Sequence, residues 1–342
     1  MTTLKVVAAR AQVSLATAAR VLRQDPTLTV RPATRERVLA ASRELGYRPN
    51  RVASGLRTRR SGSIAIVLPD PQNLMWGETL RAIERAAGER DYVVVVADAH
   101  GPTLDPTQLG RFVFEGRMDG LLVAFATIGD ELVEQMAARG LPLVPINSRS
   151  PIVSGSVTMD DETGSGLAVD HLVGLGHRRI GFIAGRADTD VGRRREAGYA
   201  NAMAAHGLTV DPGWVASGDF TERGAHEAAR GLLNLPPDRR PTAVYTVNLI
   251  SALGVRAAAR ELGYRIPRDL SLVTMDDHPI LGHTDPALSA VAMPMDEMGA
   301  LGAQLLIDVV EGRPIRHVVT ATPPRLVVRA STGPPPDTAG PA

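Results

Sequence analysis

Between Val13 and Leu22 the chain reads Val-Ser-Leu-Ala-Thr-Ala-Ala-Arg-Val-Leu, and this spacing predicts a short helix with a chemically readable outer face. Ser14 is an N-cap type whose hydroxyl accepts from the free N–H groups of a first turn. Ala18, Val21 and Leu22 recur at helical spacing as an apolar stripe, and Thr17 and Arg20 fall away from it. A guanidinium at position 20 can donate bidentately to guanine O6 and N7. The hydroxyls of Ser14 and Thr17 suit phosphate oxygens. Leu15 and Ala16, at the start of the helix, suit thymine methyls or base edges; the alternative for both is packing against a preceding helix. That helix is marked by Leu4, Val7, Ala8 and Ala11 at the same period. Two short helices joined by a tight turn make the helix-turn-helix pattern, whose second helix enters the major groove.

Charge distribution points the same way. Residues 1–60 hold 13 Lys/Arg and 3 Asp/Glu, a net of +10, and the remaining 25 basic and 34 acidic residues carry −9, which the overall +1 conceals. A basic head on an acidic body meets a polyanion through the head; the alternative is a solvated basic surface. The chain's 342 residues suit two or three domains, and 44% hydrophobic with 22% charged residues is the balance of a soluble globular protein. With no cysteine, disulfides, thiolate metal sites and cysteine nucleophiles are excluded. No apolar run at the start resembles a signal peptide and none approaches ~20 residues, so a cytoplasmic location without a membrane partner is expected. A Walker-type lysine loop, a Gly-x-Ser-x-Gly turn and a His-Glu-x-x-His site are all missing. The expectation is a non-enzyme without cofactor or metal, and Asp160-Asp161-Glu162 reads as a solvated acidic run, with metal binding as the alternative.

The elements that must position these residues follow in order. Pro26 and Pro32 bound a loop, Pro32 opens a third helix running to about Leu45, and Gly46 suits the position past its end. Residues 50–60 read as a hinge, in which Asn50 caps a short segment carrying Val52, Ala53 and Leu56. From Ser61, apolar runs at Ile64–Leu68, Tyr92–Ala97, Gly120–Ala124, Leu143–Ile146, Ile180–Ala184, Ala243–Val247 and Leu270–Met275 alternate with amphipathic helices, one from about Trp76 to Arg90. That alternation predicts parallel sheets with helices on both faces. The fold class is therefore α plus α/β, a three-helix head followed by a core of doubly wound sheets. The Pro/Gly-rich stretch 333–342 is expected to be a disordered tail.

Val13-Ser-x-Ala-Thr-x-x-Arg-Val-Leu22, Thr34-Arg-Glu-Arg-Val-Leu39, Glu44-Leu-Gly-Tyr-Arg-Pro-Asn50 and Val52-Ala-Ser-Gly-Leu56 succeed one another in the order and spacing of the DNA-binding headpiece of the LacI/GalR family of transcriptional regulators. The chain resembles that family over residues 3 to 332, through Gly176-His-Arg-Arg-Ile, Arg195-Glu-Ala-Gly-Tyr199, Asp276-Asp277 and Leu326-Val-Val-Arg. The resemblance implies a head at 1–49, a hinge helix at 50–60 and a two-lobed periplasmic-binding-protein-like core at 61–332, with lobe boundaries near 157, 288 and 320. It further implies a homodimer on a palindromic operator in double-stranded DNA, contacted by Ser14, Leu15, Ala16, Thr17, Arg20, Asn50, Arg51, Ala53, Leu56 and Arg57. In the family the hinge becomes helical on DNA, and a leucine at the position of Leu56 wedges into the minor groove.

The same resemblance places a small-molecule effector between the lobes, against Asn147, Arg195, Phe220, Asn248 and Asp276; Asn73, where the family's Asn-Pro-Phe becomes Asn-Leu-Met, and Trp76, as a second stacking surface, join the set. An aromatic face with Asp, Asn and Arg suits a polyol, so a sugar is expected. The alternatives are a nucleoside sensor and an α/β enzyme with a basic regulatory head. Departures from the family pattern include Val6 for Asp, Gln12 for the turn glycine, which would need positive φ, Ala19 for Ser, and Leu249 for the Asp that usually follows Asn248, which implies one lost hydroxyl ligand.

Overall fold

The computed structural model describes residues 2–22, 25, 27–47, 60–69, 73–99, 111–112, 114–124 and 130–336. It divides into two compact units, Met1–Ser61 and Gly62–Ala342.

The first unit holds α1 (Leu4–Arg10), α2 (Leu15–Leu22) and α3 (Pro32–Glu44). Several boundaries have a local cause. The Ser14 hydroxyl accepts from the Thr17 amide at 3.0 Å and starts α2. Pro32 occupies the first turn of α3, and Gly46 ends it at φ 58°. Gln12 carries the tight turn at φ 53°, the conformation its glycine-like position demands. Val7, Ala8, Ala18, Val21, Val38 and Ala41 meet in a small core. Residues 50–59, including the hinge residues Asn50, Arg51, Ala53, Leu56 and Arg57, lie outside the described residues.

The second unit runs β1 (Ser63–Leu68), α4 (Trp76–Gly88), β2 (Val93–Asp98), β3 (Gly120–Ala124), α5 (Asp130–Ala138), β4 (Leu143–Ile146), β5 (Ser156–Thr158), α6 (Asp161–Gly174), β6 (Ile180–Ala184) and α7 (Asp190–Ala205). It continues β7 (Val215–Ser217), α8 (Glu222–Leu233), β8 (Ala243–Thr246), α9 (Leu249–Glu261), β9 (Ser271–Met275), β10 (Ser289–Ala292), α10 (Met295–Val310), β11 (His317–Val319) and β12 (Arg325–Val327). Two six-stranded sheets result, ordered β11-β5-β4-β3-β1-β2 and β12-β10-β9-β8-β6-β7. All pairings are parallel except the antiparallel edge strand β12 on β10. The sequence shows why: β1, β3, β4, β6, β8 and β9 are continuous apolar runs buried almost throughout, which only a sheet covered on both faces accommodates.

The chain passes between the sheets three times, after β5, after β10 and between β11 and β12. The second passage comes after Ala292 rather than near 288, because Ser289–Ala292 first pairs with β9. β2 departs from a buried strand: Val93, Val95 and Val96 are exposed, since β2 is the sheet's edge. Order also extends into the stretch expected to be a free tail. The Gly333 amide donates to Ser271 Oγ at 3.0 Å, and its carbonyl is 2.9 Å from His177 Nε2. Residues 337–342 lie outside the described ones.

Candidate functional site

On the head, Ser14, Leu15 and Ala16 are exposed and Thr17 is half-buried. Leu15 is 51% exposed and stands outside the apolar cluster of the head. The Ser14 hydroxyl is engaged as the helix cap and lies 2.9 Å from Thr17 Oγ1. Arg20 is held from behind, Nε donating to Asp25 Oδ2 at 2.7 Å and Nη2 to Thr27 Oγ1 at 2.9 Å. Hydrogen bonds from Arg20 first and Thr27 second hold the Asp25 carboxyl down to about 2. Asp25 and Thr27 thus engage two of the three guanidinium nitrogens. Sequence reasoning missed them because the loop between Leu22 and Pro32 has no period to read. Arg10 pairs with Glu44 at 2.8 Å.

The second unit contains a cleft of about 710 Å³ lined by Asn73, Trp76, Asn147, Arg195, Phe220, Asn248 and Asp276, with Met75, Ile146, Arg186 and Ile250 among their neighbours. It lies where open parallel sheets present ligands, beyond the carboxyl ends of the strands. Asn147 follows β4 and Asp276 follows β9, and the sharp exits put them at φ 54° and 72°. Asn and Asp tolerate that region through local hydrogen bonding. Phe220, at φ 61°, does not have that excuse. Its ring is seated over Gly185, where a Cβ would come within 2.1 Å of Phe220 Cζ, so the glycine makes the aromatic wall. Asn248 Oδ1 caps α9 by accepting from the Ser251 amide at 2.8 Å, and Nδ2 donates to the Phe220 carbonyl at 3.3 Å.

Arg195 is 2% exposed. Its Nε donates to Asp161 at 2.7 Å, and its Nη1 and Nη2 donate to the two Asp276 oxygens at 2.9 and 3.2 Å, with a further bond to the Val247 carbonyl. Burial opposes its charge, but Asp276 and Asp161 outweigh burial and raise the guanidinium above its usual value. Burial pushes the Asp276 carboxyl up to about 6, with Arg195 pulling the other way. Asp161 corrects the sequence expectation of a solvated acidic run: it is 1% exposed and paired with both Arg194 and Arg195. Asp160, its neighbour, caps α6 through the Thr163 amide at 3.1 Å. Among the described residues no group of His, Cys, Asp or Glu is arranged to hold a metal ion. Leu249 is fully buried with the α8–α9 core, and the next residue, Ile250, faces the cleft. Position 249 in this chain is therefore packing rather than a missing ligand. Asn147 Oδ1 is buried without a partner, an acceptor a bound hydroxyl would satisfy.

A helix-turn-helix unit attached to a core of two parallel sheets with a cleft at their strand ends defines a DNA-binding regulator with a periplasmic-binding-protein-like domain. Residues 3–50 match the model of bacterial regulatory proteins of the lacI family, and residues 169–332 match that of a periplasmic binding protein-like domain. The chain is 33% identical over 334 residues to the HTH-type transcriptional repressor CytR of Escherichia coli (strain K12), covering 96% of each chain. Among solved structures, it resembles the transcriptional regulator CelR in complex with cellobiose (30% identity, TM-score 0.74, 97% of this chain and 100% of that one). It also resembles the lac repressor dimer bound to operator and the anti-inducer ONPF (26% identity, TM-score 0.79, 97% and 99%). The chain belongs to the lacI family of transcriptional regulators.

Proposed function

We propose that the protein is a repressor that binds a near-palindromic operator as a homodimer and responds to a neutral polyhydroxyl effector, a sugar, in the cleft. The observation that carries this reading is the cleft itself, which the buried Arg195–Asp276 pair lines together with Phe220 and Trp76. Aromatic faces suit sugar C–H groups, and carboxylate and amide oxygens accept from hydroxyls. Charge disfavours an anionic ligand: Arg195 is neutralised by Asp161 and Asp276, Arg186 at the cleft pairs with Asp188 at 2.5 Å, and Asp219 and Glu222 also line it. The resemblance to the cellobiose complex of CelR supports the sugar class, and that to the operator-bound lac repressor dimer supports the assembly. Ser14, Leu15, Ala16, Thr17 and Arg20 are assigned to the major groove, with Asn50, Arg51, Ala53, Leu56 and Arg57 in the hinge.

Effector binding changes the lobe angle and the paired hinges, and such coupling typically shifts operator affinity by about 5- to 150-fold. The ligand leaves unchanged, which separates this reading from an enzyme. The protein works where DNA is, and among the described residues no helix is long and apolar enough to cross a membrane. Selection of random duplexes on the purified protein tests the proposal. Enrichment of a sequence with twofold-related half-sites, and its loss or gain with added sugars but not nucleosides, is the expected result; enrichment of no sequence under either condition overturns it.

A further inference from the structure

Arg194 stands beside Arg195 on α7 but faces a different task. Its Nε donates to Asp190 Oδ2 at 2.9 Å, Nη1 to the Met159 carbonyl at 3.0 Å and to Asp161, and Nη2 to the Asn147 carbonyl at 3.3 Å. Asp190 Oδ2 also accepts from the Arg149 amide at 3.0 Å. Asn147 and Arg149 follow β4 in the first lobe, Met159 lies on the first passage between lobes, and Asp161, Asp190 and Arg194 belong to the second lobe. The Arg194 side chain is only 11% exposed. We propose that Arg194 and Asp190 form an inter-lobe latch that positions the cleft residue Asn147 and holds the two lobes together.

Two features make this arrangement a latch rather than a fixed weld. Both carboxylates that neutralise Arg194 travel with it on the second lobe, so parting the lobes strands no buried charge. What parting does break is the pair of charge-assisted hydrogen bonds to Asn147 O and Arg149 N, which are the directional contacts to the first lobe. The same Arg194 bond fixes the carbonyl of Asn147, whose amide is already held by Val157 O at 2.8 Å. A ligand that moves Asn147 therefore acts on the latch through one carbonyl. This extends the cleft reading, but the latch belongs to the ligand-free chain and is tested without an effector.

The chain has no cysteine, so spin labels can be placed by substitution alone. Glu84→Cys on α4 and Glu227→Cys on α8 mark the two lobes at exposed positions. Pulsed dipolar distances would be measured on the full chain, diluted with unlabelled chain so that only intrachain pairs contribute. Arg194→Met and Asp190→Ala each remove one of the two cross-lobe bonds. Both are expected to move the distance distribution the same way, lowering the closed-to-open ratio about tenfold, while an Asn201→Cys/Glu227→Cys pair within the second lobe stays unchanged. Inter-lobe distances unaltered in folded variants, or shifts in opposite directions, overturn the proposal. If Arg194→Met does not fold, Asp190→Ala alone decides it, because Thr189 and not Asp190 caps α7.

Discussion

Replacing Arg195 by methionine tests the buried ion pair at the base of the cleft. Methionine keeps much of the aliphatic volume but removes the charge and all four hydrogen bonds. Asp161 retains Arg194, whereas Asp276 loses the cation that holds both its oxygens. Breaking a buried pair in this way costs about 3–5 kcal/mol, a large share of the roughly 5–15 kcal/mol that holds a folded domain. The cost depends on pH. Burial already pushes Asp276 to about 6, above the ~3.9 of an unfolded aspartate, and loss of Arg195 raises it further. A carboxyl with a raised folded value binds its proton more tightly when folded. Its stability contribution is therefore complete below the unfolded value and is lost as pH rises through the folded one. The deficit of Arg195→Met is accordingly largest near pH 8 and shrinks toward pH 5, by about 1 kcal/mol or more. Urea unfolding at both pH values measures it, and tryptophan fluorescence is the appropriate probe because Trp76 and Trp214 are both buried in the second unit. A deficit under ~1 kcal/mol, or one equal at pH 8 and pH 5, would refute the reasoning about the pair.

Gly185→Ala brings a Cβ within 2.1 Å of Phe220 Cζ, so the ring must leave its seat and overpacking should cost about 1–3 kcal/mol; a crystal structure of the variant with Phe220 unmoved would contradict this. Gln12→Gly relieves a left-handed residue at φ 53°. The ~1–2 kcal/mol strain recovered exceeds the ~0.5–1 kcal/mol of added chain freedom, and slower amide exchange across α1 and α2 should report a gain of about 0.5–1 kcal/mol. Asp25→Ala releases Arg20, and the duplexes it selects should lose preference at one position per half-site. Its salt dependence should stay steep, because that term comes from phosphates; an unchanged preference would remove Arg20 from base reading.

Much of the head was legible because its causes are local. Ser14 caps, Gln12 turns, Pro32 starts and Gly46 stops, each through interactions within a few residues. The long central strands were legible as apolar runs. β5, β7, β10, β11 and β12 were not, since three or four residues carry no usable period and become strands only because a neighbour offers its edge. The exposed valines of β2 show the converse, apolar character that implied burial at a position the topology made an edge.

The sequence by itself determined the helices of the head, the basic and acidic halves, the alternation that demands parallel sheets, and the residue types a cleft would use. Only the tertiary structure decided how those residues act together. Asn73 and Asp276 share one cleft although they follow strands of different sheets, β1 and β9, because the chain folds both lobes around it. Asp161 reads as a solvated acid until α6 and α7 bury it under Arg194 and Arg195, and Leu249, read as a lost ligand, is core because the helix turns it inward and brings Ile250 to the cleft instead. Local capping and periodicity are encoded within a few residues, but burial, and with it charge pairing and proton affinity, depends on what the rest of the chain places around each group.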